Sequence, residues 1–569
     1  MRPVAPQAAA ADRRWLFGPL PDLLFGCGLA YAAVFVLEAF AGARMRSALP
    51  YTTALLPVSL LASAHYGATA LRAYERAEDR RGYALFTLWS TLLLGAAFAA
   101  GVHVAVLGSW FVTVYLTWSP WHYALQNFGV AMTFLRRRGV DVAPRTRRLL
   151  HASFVLSFVL AAVAMHGTRT DAAYAPGALR AGAIAFLPLG ELLGVPVGSA
   201  SVVLVAAGVA YAAATTGALW TLRRAARWSE IAPALVLIAT QALWFSVPVL
   251  ARHASVFGGL EPLSVEHAAY AFLWVGAGHA AQYLWFTAWF AKAQGRSRSH
   301  GLFVFKALCA GSALWGVPAL LFAPGLLGRV PYDEGLALLV AALVNVHHFV
   351  LDGVVWKLRD GRVARFLLGA RGTADSNPSP PRRVPALVRA ALWTGGLAAL
   401  ALACVGALLP ERGFVGPLER DDLRTAERTD ALLDHLGQAS AERRLQLGQA
   451  ALSAGDLARA EQYLRASIDL APRAWAWVGL GDVHARREEF VRASECYEAA
   501  LALDPAQPVA TFHLGVIELN GGDATRGRER VARALELARA DPDPPAGLID
   551  AIEGVLDEVD AAEASPERR

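Results

Sequence analysis

Apolar stretches of about twenty residues recur through the first 410 residues of the chain. A helix of that length crosses the hydrocarbon core of a bilayer, because each residue adds 1.5 Å. A chain with this pattern is not a purely soluble enzyme, a disordered protein or a nucleic-acid binder. The pattern predicts an all-α fold with eleven spans, at 16–41, 52–72, 83–107, 110–135, 149–167, 197–222, 230–251, 267–291, 303–327, 335–356 and 386–409.

Two apolar segments bear on the number of spans. The stretch 177–196 is apolar but broken by Pro188 and Gly194, and a break facing lipid would leave backbone groups unpaired. We therefore expect it to be re-entrant or interfacial. The first span has Arg13 and Arg14 before it, as a signal peptide would, but its apolar stretch is longer than such peptides have.

The basic residues between the spans predict an orientation. Lys and Arg collect on the cytoplasmic side of membrane proteins. Here they are concentrated in every second loop, which predicts an inner-membrane protein with a cytoplasmic amino terminus and everything beyond Leu409 outside the cytoplasm. The basic loops run from Arg72 to Arg81, Arg136 to Arg148, Arg223 to Arg227, Lys292 to Arg298 and Lys357 to Arg383.

Charge also divides the chain. Residues 1–410 hold 34 basic and 17 acidic side chains, whereas 411–569 hold 19 basic and 30 acidic ones. We predict a membrane domain over 1–410, a linker over 411–440, a repeat domain over 441–540, and an acidic terminal helix and tail over 541–569.

The repeat domain is recognised by spacing. Gly448, Gly481 and Gly515 follow one another at intervals of 33 and 34 residues. The middle unit resembles the tetratricopeptide repeat, and the flanking units match less closely. The residues that carry the resemblance are Trp477, Leu480, Gly481, Phe490, Ala493, Tyr497, Ala500 and Pro505.

This resemblance implies an α-solenoid of about three helix pairs with a concave face. Such a face usually holds a protein or peptide client. The alternative is that the repeats only cap or order the membrane part.

Histidines lie in the middle of four predicted spans, where packing alone does not require them. Each lies 12 to 14 residues from the predicted outer end of its span, so all share one depth of about 20 Å. Ionisable groups at that depth are costly and commonly functional. We predict one shared site, formed by His65, His122, His279, His347 and His348.

Polar neighbours three or four residues away lie on the same helix faces as these histidines. Gln126 follows His122, and Asn345 and Asp352 flank His348. Gln282 and Tyr283 follow His279 in the same way. We expect Asp352 to orient a ligand or bind a metal itself, and Tyr283 to serve in proton or radical chemistry.

Imidazole suits iron, copper and zinc. We predict a metal site, with iron first and copper or zinc as alternatives. Interhelical hydrogen bonding, a proton or substrate pathway, and bis-histidine haem stay open. The spread of single histidines over several spans is similar in kind to the Brp/Blh-type carotenoid-cleaving dioxygenases, which hold non-haem iron, although no extended string matches.

Three functions follow from these features. The first is a membrane metalloenzyme, an oxidoreductase acting on a lipid-soluble substrate within the bilayer. The second is a scaffold or assembly factor that binds a client through its repeats. The third is a membrane glycosyltransferase, which is disfavoured because the predicted first outer loop, 42–51, has no carboxylate.

Overall fold

The structure is a computed structural model that describes residues 14–75, 83–167, 179–257, 259–264, 267–356, 385–541 and 544–564. These ranges hold twenty helices of seven residues or more and one pair of two-residue strands. The predicted all-α fold class is confirmed. Arg76 to Arg81 and Lys357 to Arg383, used to predict orientation, lie outside the described residues, and the orientation stays a prediction.

Contacts divide the protein into two compact units. The bundle unit comprises residues 1–329 and 335–407, and the repeat unit comprises residues 330–334 and 408–569.

The bundle unit accounts for twelve of the helices in the described ranges, all within predicted spans or extending them. These are α1 (Leu29–Ala48), α2 (Tyr51–Tyr74), α3 (Ser90–His103), α4 (Ala105–Arg137), α5 (Pro144–His166), α6 (Val197–Ala225), α7 (Trp228–Gln241), α8 (Val247–His253), α9 (Ala268–Ala293), α10 (His300–Leu321), α11 (Ala337–Val355) and α12 (Ala386–Leu409). Short π-helical segments precede α1 (Asp22–Gly26), α3 (Leu85–Trp89) and α11 (Tyr332–Leu336), and another joins α7 to α8 (Ala242–Ser246).

Eight helical segments among the described residues are long and apolar enough to cross a membrane, and a bent pair, Pro19–Gly26 with Leu29–Ala48, makes a ninth with a 61° bend. Helices α4 and α9 occupy two other predicted spans but are less apolar, because Trp, His and Gln interrupt their aliphatic residues. The number of eleven spans stays a prediction.

The described part of the stretch 177–196 is not a long helix. It forms a hairpin of β1 (Arg180–Ala181) and β2 (Ile184–Ala185), followed by a four-residue helix, Leu189–Leu192. Two hydroxyl groups of α4 accept hydrogen bonds from its backbone. The N–H of Ala185 donates to Oγ of Ser109 at 3.1 Å, and the N–H of Leu187 donates to Oγ1 of Thr113 at 2.9 Å. These bonds supply partners that a backbone outside regular structure needs in an apolar environment.

Helices α2 and α10 pack with their backbones in contact. A methyl group built on Gly67 would overlap the carbonyl oxygen of Ala307, and one on Gly311 would overlap that of Ser63. Small residues permit such close approach between membrane helices. This contact fixes α2, the helix that carries His65.

The repeat unit is built of helix pairs. Its helices are α13 (Leu423–His435), α14 (Ala441–Ser453), α15 (Leu457–Leu470), α16 (Ala474–Arg486), α17 (Phe490–Leu503), α18 (Pro508–Asn520), α19 (Ala524–Ala540) and α20 (Leu548–Ala564), after short segments at Pro410–Val415 and Gly416–Leu418. Side chains of Ser440, Asp456 and Asp523 cap α14, α15 and α19 by accepting N–H groups of their first turns.

Both ends of the repeat array are covered by helices. The range 411–440, which we expected to be a linker, contains α13, whose Ala426 and Leu433 are fully buried. At the other end, Leu548 and Ile552 of α20 pack against Val531 and Ala534 of α19. A solenoid needs such terminal helices, because its outermost repeats would otherwise expose apolar faces.

Residues 330–334 also belong to the repeat unit. The hydroxyl of Ser440 donates to Asp333, and Arg473 forms an ion pair with Glu334. The backbone N–H of Tyr332 donates to the carbonyl of Ala439 at 3.2 Å. A segment about a hundred residues upstream is thereby held at the start of the first repeat.

Candidate metal centre

Four of the five predicted histidines meet inside the bundle unit. One ring nitrogen from each of His65 (α2), His122 (α4), His279 (α9) and His348 (α11) lies within 4.8 Å of the others. His65, His279 and His348 are each at most 2% exposed. Four separate helices thus bring imidazoles to one buried point.

The rings form a closed circuit. Centroid distances are 4.3 Å from His65 to His348 and 4.9 Å from His348 to His122. The circuit closes through His279, at 5.2 Å from His122 and 4.8 Å from His65. The Nε2 atoms of His348 and His122 lie 3.2 Å apart.

Several of these nitrogens have no hydrogen-bond partner among the described residues. They are Nε2 of His65 and both ring nitrogens of His279. Buried polar atoms are nearly always paired, so each exception needs an explanation. A ring of Tyr123 stacks on His279 with centroids 3.7 Å apart, which holds the imidazole without bonding its nitrogens.

A polar network holds the edge of the His348 ring that carries Nδ1. Its Nδ1 lies 2.9 Å from the hydroxyl oxygen of Thr69, which donates to Oδ1 of Asp352 at 3.0 Å. Tyr283 donates to the same carboxylate oxygen at 2.5 Å and accepts from the indole of Trp356 at 3.1 Å. The network leaves Nε2 of His348 facing the other histidines.

The second oxygen of Asp352 faces the cluster. Oδ2 lies 3.5 Å from Nε2 of His348 and 3.9 Å from Nε2 of His122. Asp352 is 7% exposed. The arrangement therefore offers four imidazoles and one carboxylate oxygen around a common space.

His347, the fifth predicted ligand, does not join them. Its Nε2 lies 2.9 Å from the hydroxyl groups of both Tyr74 and Thr91. Adjacent residues of a helix point about 100° apart, so His347 and His348 cannot face the same space.

The predicted glutamines meet one another. Gln126 donates to Gln282 at 2.6 Å, and Gln282 donates to the carbonyl of Gly26 and to Asn127, both at 2.9 Å. Asn127 in turn donates to Oε1 of Gln241 at 2.8 Å. The backbone carbonyl of Gly26 can only accept, so Gln282 must turn its NH₂ group toward it. This sets the donor and acceptor ends of the other side-chain amides in the row.

Sequence reasoning missed Thr69, Tyr66 and Trp356. Thr69 follows His65 by four residues and Trp356 follows Asp352 by four, so helical spacing could have found both. Tyr66 donates to Asn345 at 2.7 Å, which no spacing within one helix could have indicated.

A cavity of about 310 Å³ adjoins the cluster between α4, α9 and α11. His122, Tyr283 and Asp352 belong to its wall, so it reaches the histidine site directly. The other residues that line it are mostly aromatic or aliphatic: Trp118, Trp121, Leu125, Gln126, Gly129, Val130, Thr133, Gln282, Phe286, Phe349, Gly353 and Trp356.

The repeat unit has its own polar contacts on adjacent helices. Tyr497 donates to Oδ1 of Asp482 at 2.7 Å, and Nε2 of His513 lies 3.6 Å from the same oxygen. Burial raises the pKa of Asp482, although His513 and Tyr497 lower it in part. Burial lowers the pKa of His513, which Asp482 partly offsets.

The crossing of α16 and α17 explains Gly481. A methyl group there would lie 2.5 Å from the ring of Tyr497. Gly481 and Tyr497, two of the predicted repeat residues, thus lie where the two helices of one pair touch.

The family model of the tetratricopeptide repeat matches residues 445–508 and 478–545. The predicted resemblance of the C-terminal part is confirmed, and this part is a protein-interaction module. No curated protein matches the chain.

Proposed function

We propose that the bundle unit contains a histidine-ligated metal centre, and that this centre oxidises or reduces a lipid-soluble substrate. The observation that carries the proposal is the convergence of four buried imidazoles, with the ring nitrogens of His279 and Nε2 of His65 left without partners among the described residues. A bound cation would supply the partner that these atoms need.

The spacing of the nitrogens supports a metal over hydrogen-bonding glue. Histidines that join helices by hydrogen bonds pair with one another or with hydroxyl groups, yet His279 does neither. Metal–imidazole bonds of about 2.0–2.1 Å place opposite ligands about 4 Å apart. Ligand atoms within 4.8 Å of one another need only small shifts to reach that geometry.

The distances between the four rings also favour a single metal ion over haem. The four rings lie at centroid distances of 4.3 to 5.2 Å around their circuit, which leaves no room for a macrocycle between them. A divalent cation would further balance the buried carboxylate of Asp352, which is costly to bury alone.

Iron is the first candidate, with copper and zinc as alternatives, because neutral imidazoles with a nearby carboxylate resemble the ligands of non-haem iron. His65, His122, His279 and His348 would hold the metal, which would supply redox chemistry or Lewis acidity. Thr69 fixes the ring of His348, and Asp352 with Tyr283 can hold or move a proton beside the site.

Metal analysis of the purified protein tests this function. We expect about one equivalent of iron, copper or zinc per chain, lost when His279 is replaced by Asn. His103→Asn is the matched control, since His103 is exposed and outside the cluster. Wild-type protein without stoichiometric metal, after purification free of chelators and reloading with each ion, would sink the proposal.

We also propose that the amino terminus is cytoplasmic and the repeats lie outside the cytoplasm, where their concave face binds a protein client. Two ion pairs support the alternation of loops. Arg46 and Glu261, which pair, both lie in predicted outer loops, and Lys306, near the inner end of the predicted span 303–327, pairs with Glu75 of a predicted inner loop. Alkaline phosphatase fused after Arg569 should be active in a bacterial host. An inactive fusion, with an active one after Arg298, would reverse the orientation.

A further inference from the structure

The residues that line the cavity beside the histidines extend far along α4. Eight of them belong to α4 and form one stripe from Trp118 to Thr133. Fifteen helical steps correspond to about 22 Å. A volume of about 310 Å³ spread along that length leaves a slim channel rather than a rounded chamber.

The volume sets the size of an occupant. At about 30 Å³ for a group the size of a water molecule or a methylene, the channel holds about ten such groups. Seven of its fifteen lining residues are Trp, Phe, Leu or Val, against six polar ones and two glycines, and these apolar side chains favour an apolar occupant.

Two glycines lie on different walls of this channel. Gly129 is on α4 and Gly353 on α11, and a methyl group at either would meet no atom within 4 Å. Glycine within a helix costs about 1 kcal/mol relative to alanine. No close helix contact accounts for these two, and both leave open space where they line the channel.

The channel also has an entrance and a reactive position. Gly353 is exposed, so the wall of the channel is open to the surface of the bundle there. His122 and Asp352 line the channel and also border the histidine cluster. An occupant that runs along α4 therefore passes the proposed metal centre.

We propose that this channel binds one unbranched hydrocarbon chain of about ten carbons, as found in fatty alcohols and acyl lipids, and presents it to the histidine cluster. The inference rests on the proposed function, because it names the class of substrate for that centre. The narrow channel excludes compact ring systems of equal carbon number.

Fluorescence of the channel tryptophans tests the proposal on the full chain in lipid nanodiscs. The probe is 10-bromodecan-1-ol, whose bromine quenches indole on contact with Trp118, Trp121 or Trp356. We expect saturable quenching that decan-1-ol reverses. Adamantan-1-ol, also with ten carbons but compact, should not reverse it.

Variants locate the quenching in the channel. Gly129→Leu places a side chain in the channel at a position where a methyl group meets no atom within 4 Å, and we expect at least a tenfold weaker half-saturation. Gly353→Leu is the second variant if Gly129→Leu does not fold. Gly316→Leu, on α10 with equal free space but away from the channel, should match the wild type.

The outcomes separate the two proposals because metal content is measured on the same samples. Three results would each overturn the channel proposal, even if metal is bound. They are quenching that does not saturate, quenching that adamantan-1-ol reverses as well as decan-1-ol does, and quenching that Gly129→Leu leaves unchanged. Saturable quenching in protein that holds no metal leaves a chain-binding channel and overturns the proposed redox centre.

Discussion

Nδ1 of His348 lies 2.9 Å from Oγ1 of Thr69, on the side of the ring away from the other histidines. We assign the hydroxyl hydrogen of Thr69 to the carboxylate of Asp352, which can be a charged acceptor, so that Thr69 accepts from His348. This assigns the proton of a neutral His348 ring to Nδ1 and leaves the lone pair of Nε2 toward the cluster. A hydroxyl on one helix thus sets the chemical form of a ligand on another.

Replacing Thr69 by Val should weaken metal binding. The ring of His348 would lose the acceptor that orients it, and loss of such partners typically costs about 10- to 100-fold in metal affinity. Competition with a chelator measures the affinity, and Thr69→Ser, which keeps the hydroxyl, should stay close to wild type. Equal affinity for the Val and wild-type proteins would contradict this role.

His347 and His348 should behave differently although they are adjacent. His348→Ala removes a cluster nitrogen, and we expect loss of the metal. His347→Ala removes only the contacts to Tyr74 and Thr91, which costs about 1 kcal/mol per hydrogen bond but leaves the cluster complete. Metal content and melting temperature of the two variants, measured together, check this; metal loss in both would show that His347 also contributes.

The contact of α2 with α10 should not tolerate a larger residue. Gly311→Val would drive a side chain into the backbone at Ser63, and we expect destabilisation of about 4 kcal/mol or more. The displacement of α2 would also remove metal through His65. Gly316→Val, on the same helix with no atom within 4 Å, should melt near wild type in detergent; a stable Gly311→Val would mean that the helices can separate freely.

Tyr497→Phe should destabilise the repeat unit in a pH-dependent way. Asp482 loses the donor to its carboxylate, which costs about 2 kcal/mol when the group is ionised. Because burial raises the pKa of Asp482, the folded state binds a proton at this carboxylate more tightly than the unfolded state does. The stability cost should therefore shrink as the pH falls through that raised pKa.

Urea midpoints from pulse proteolysis of the full chain at pH 7.5 and pH 4.5 measure this effect. The control is the same substitution in an Asp482→Asn background, where the cost should be smaller and independent of pH. A cost that is equal at both pH values in the wild-type background would rule out Asp482 as its origin.

The sequence predicted the helices better than their contacts. Apolar length located every bundle helix of the described ranges, and four of the histidines that lie equally far along their predicted spans do meet. The exclusion of His347 follows from helix rotation, which a shared depth does not report. The bond from Tyr66 to Asn345 and the channel along α4 depend on how distant helices pack, so no pattern within one segment could have predicted them.

The lower apolarity of α4 and α9 has a consequence for biosynthesis. These helices supply His122 and His279 and three of the four hydrogen-bonded amides, and the same polar residues weaken their own tendency to enter a bilayer. We therefore expect their insertion into a membrane to depend on neighbouring helices. Because His348 lies on α11, the cluster is complete only once α11 has joined the other three helices, and a chain that stops before α11 would hold three of its four histidines.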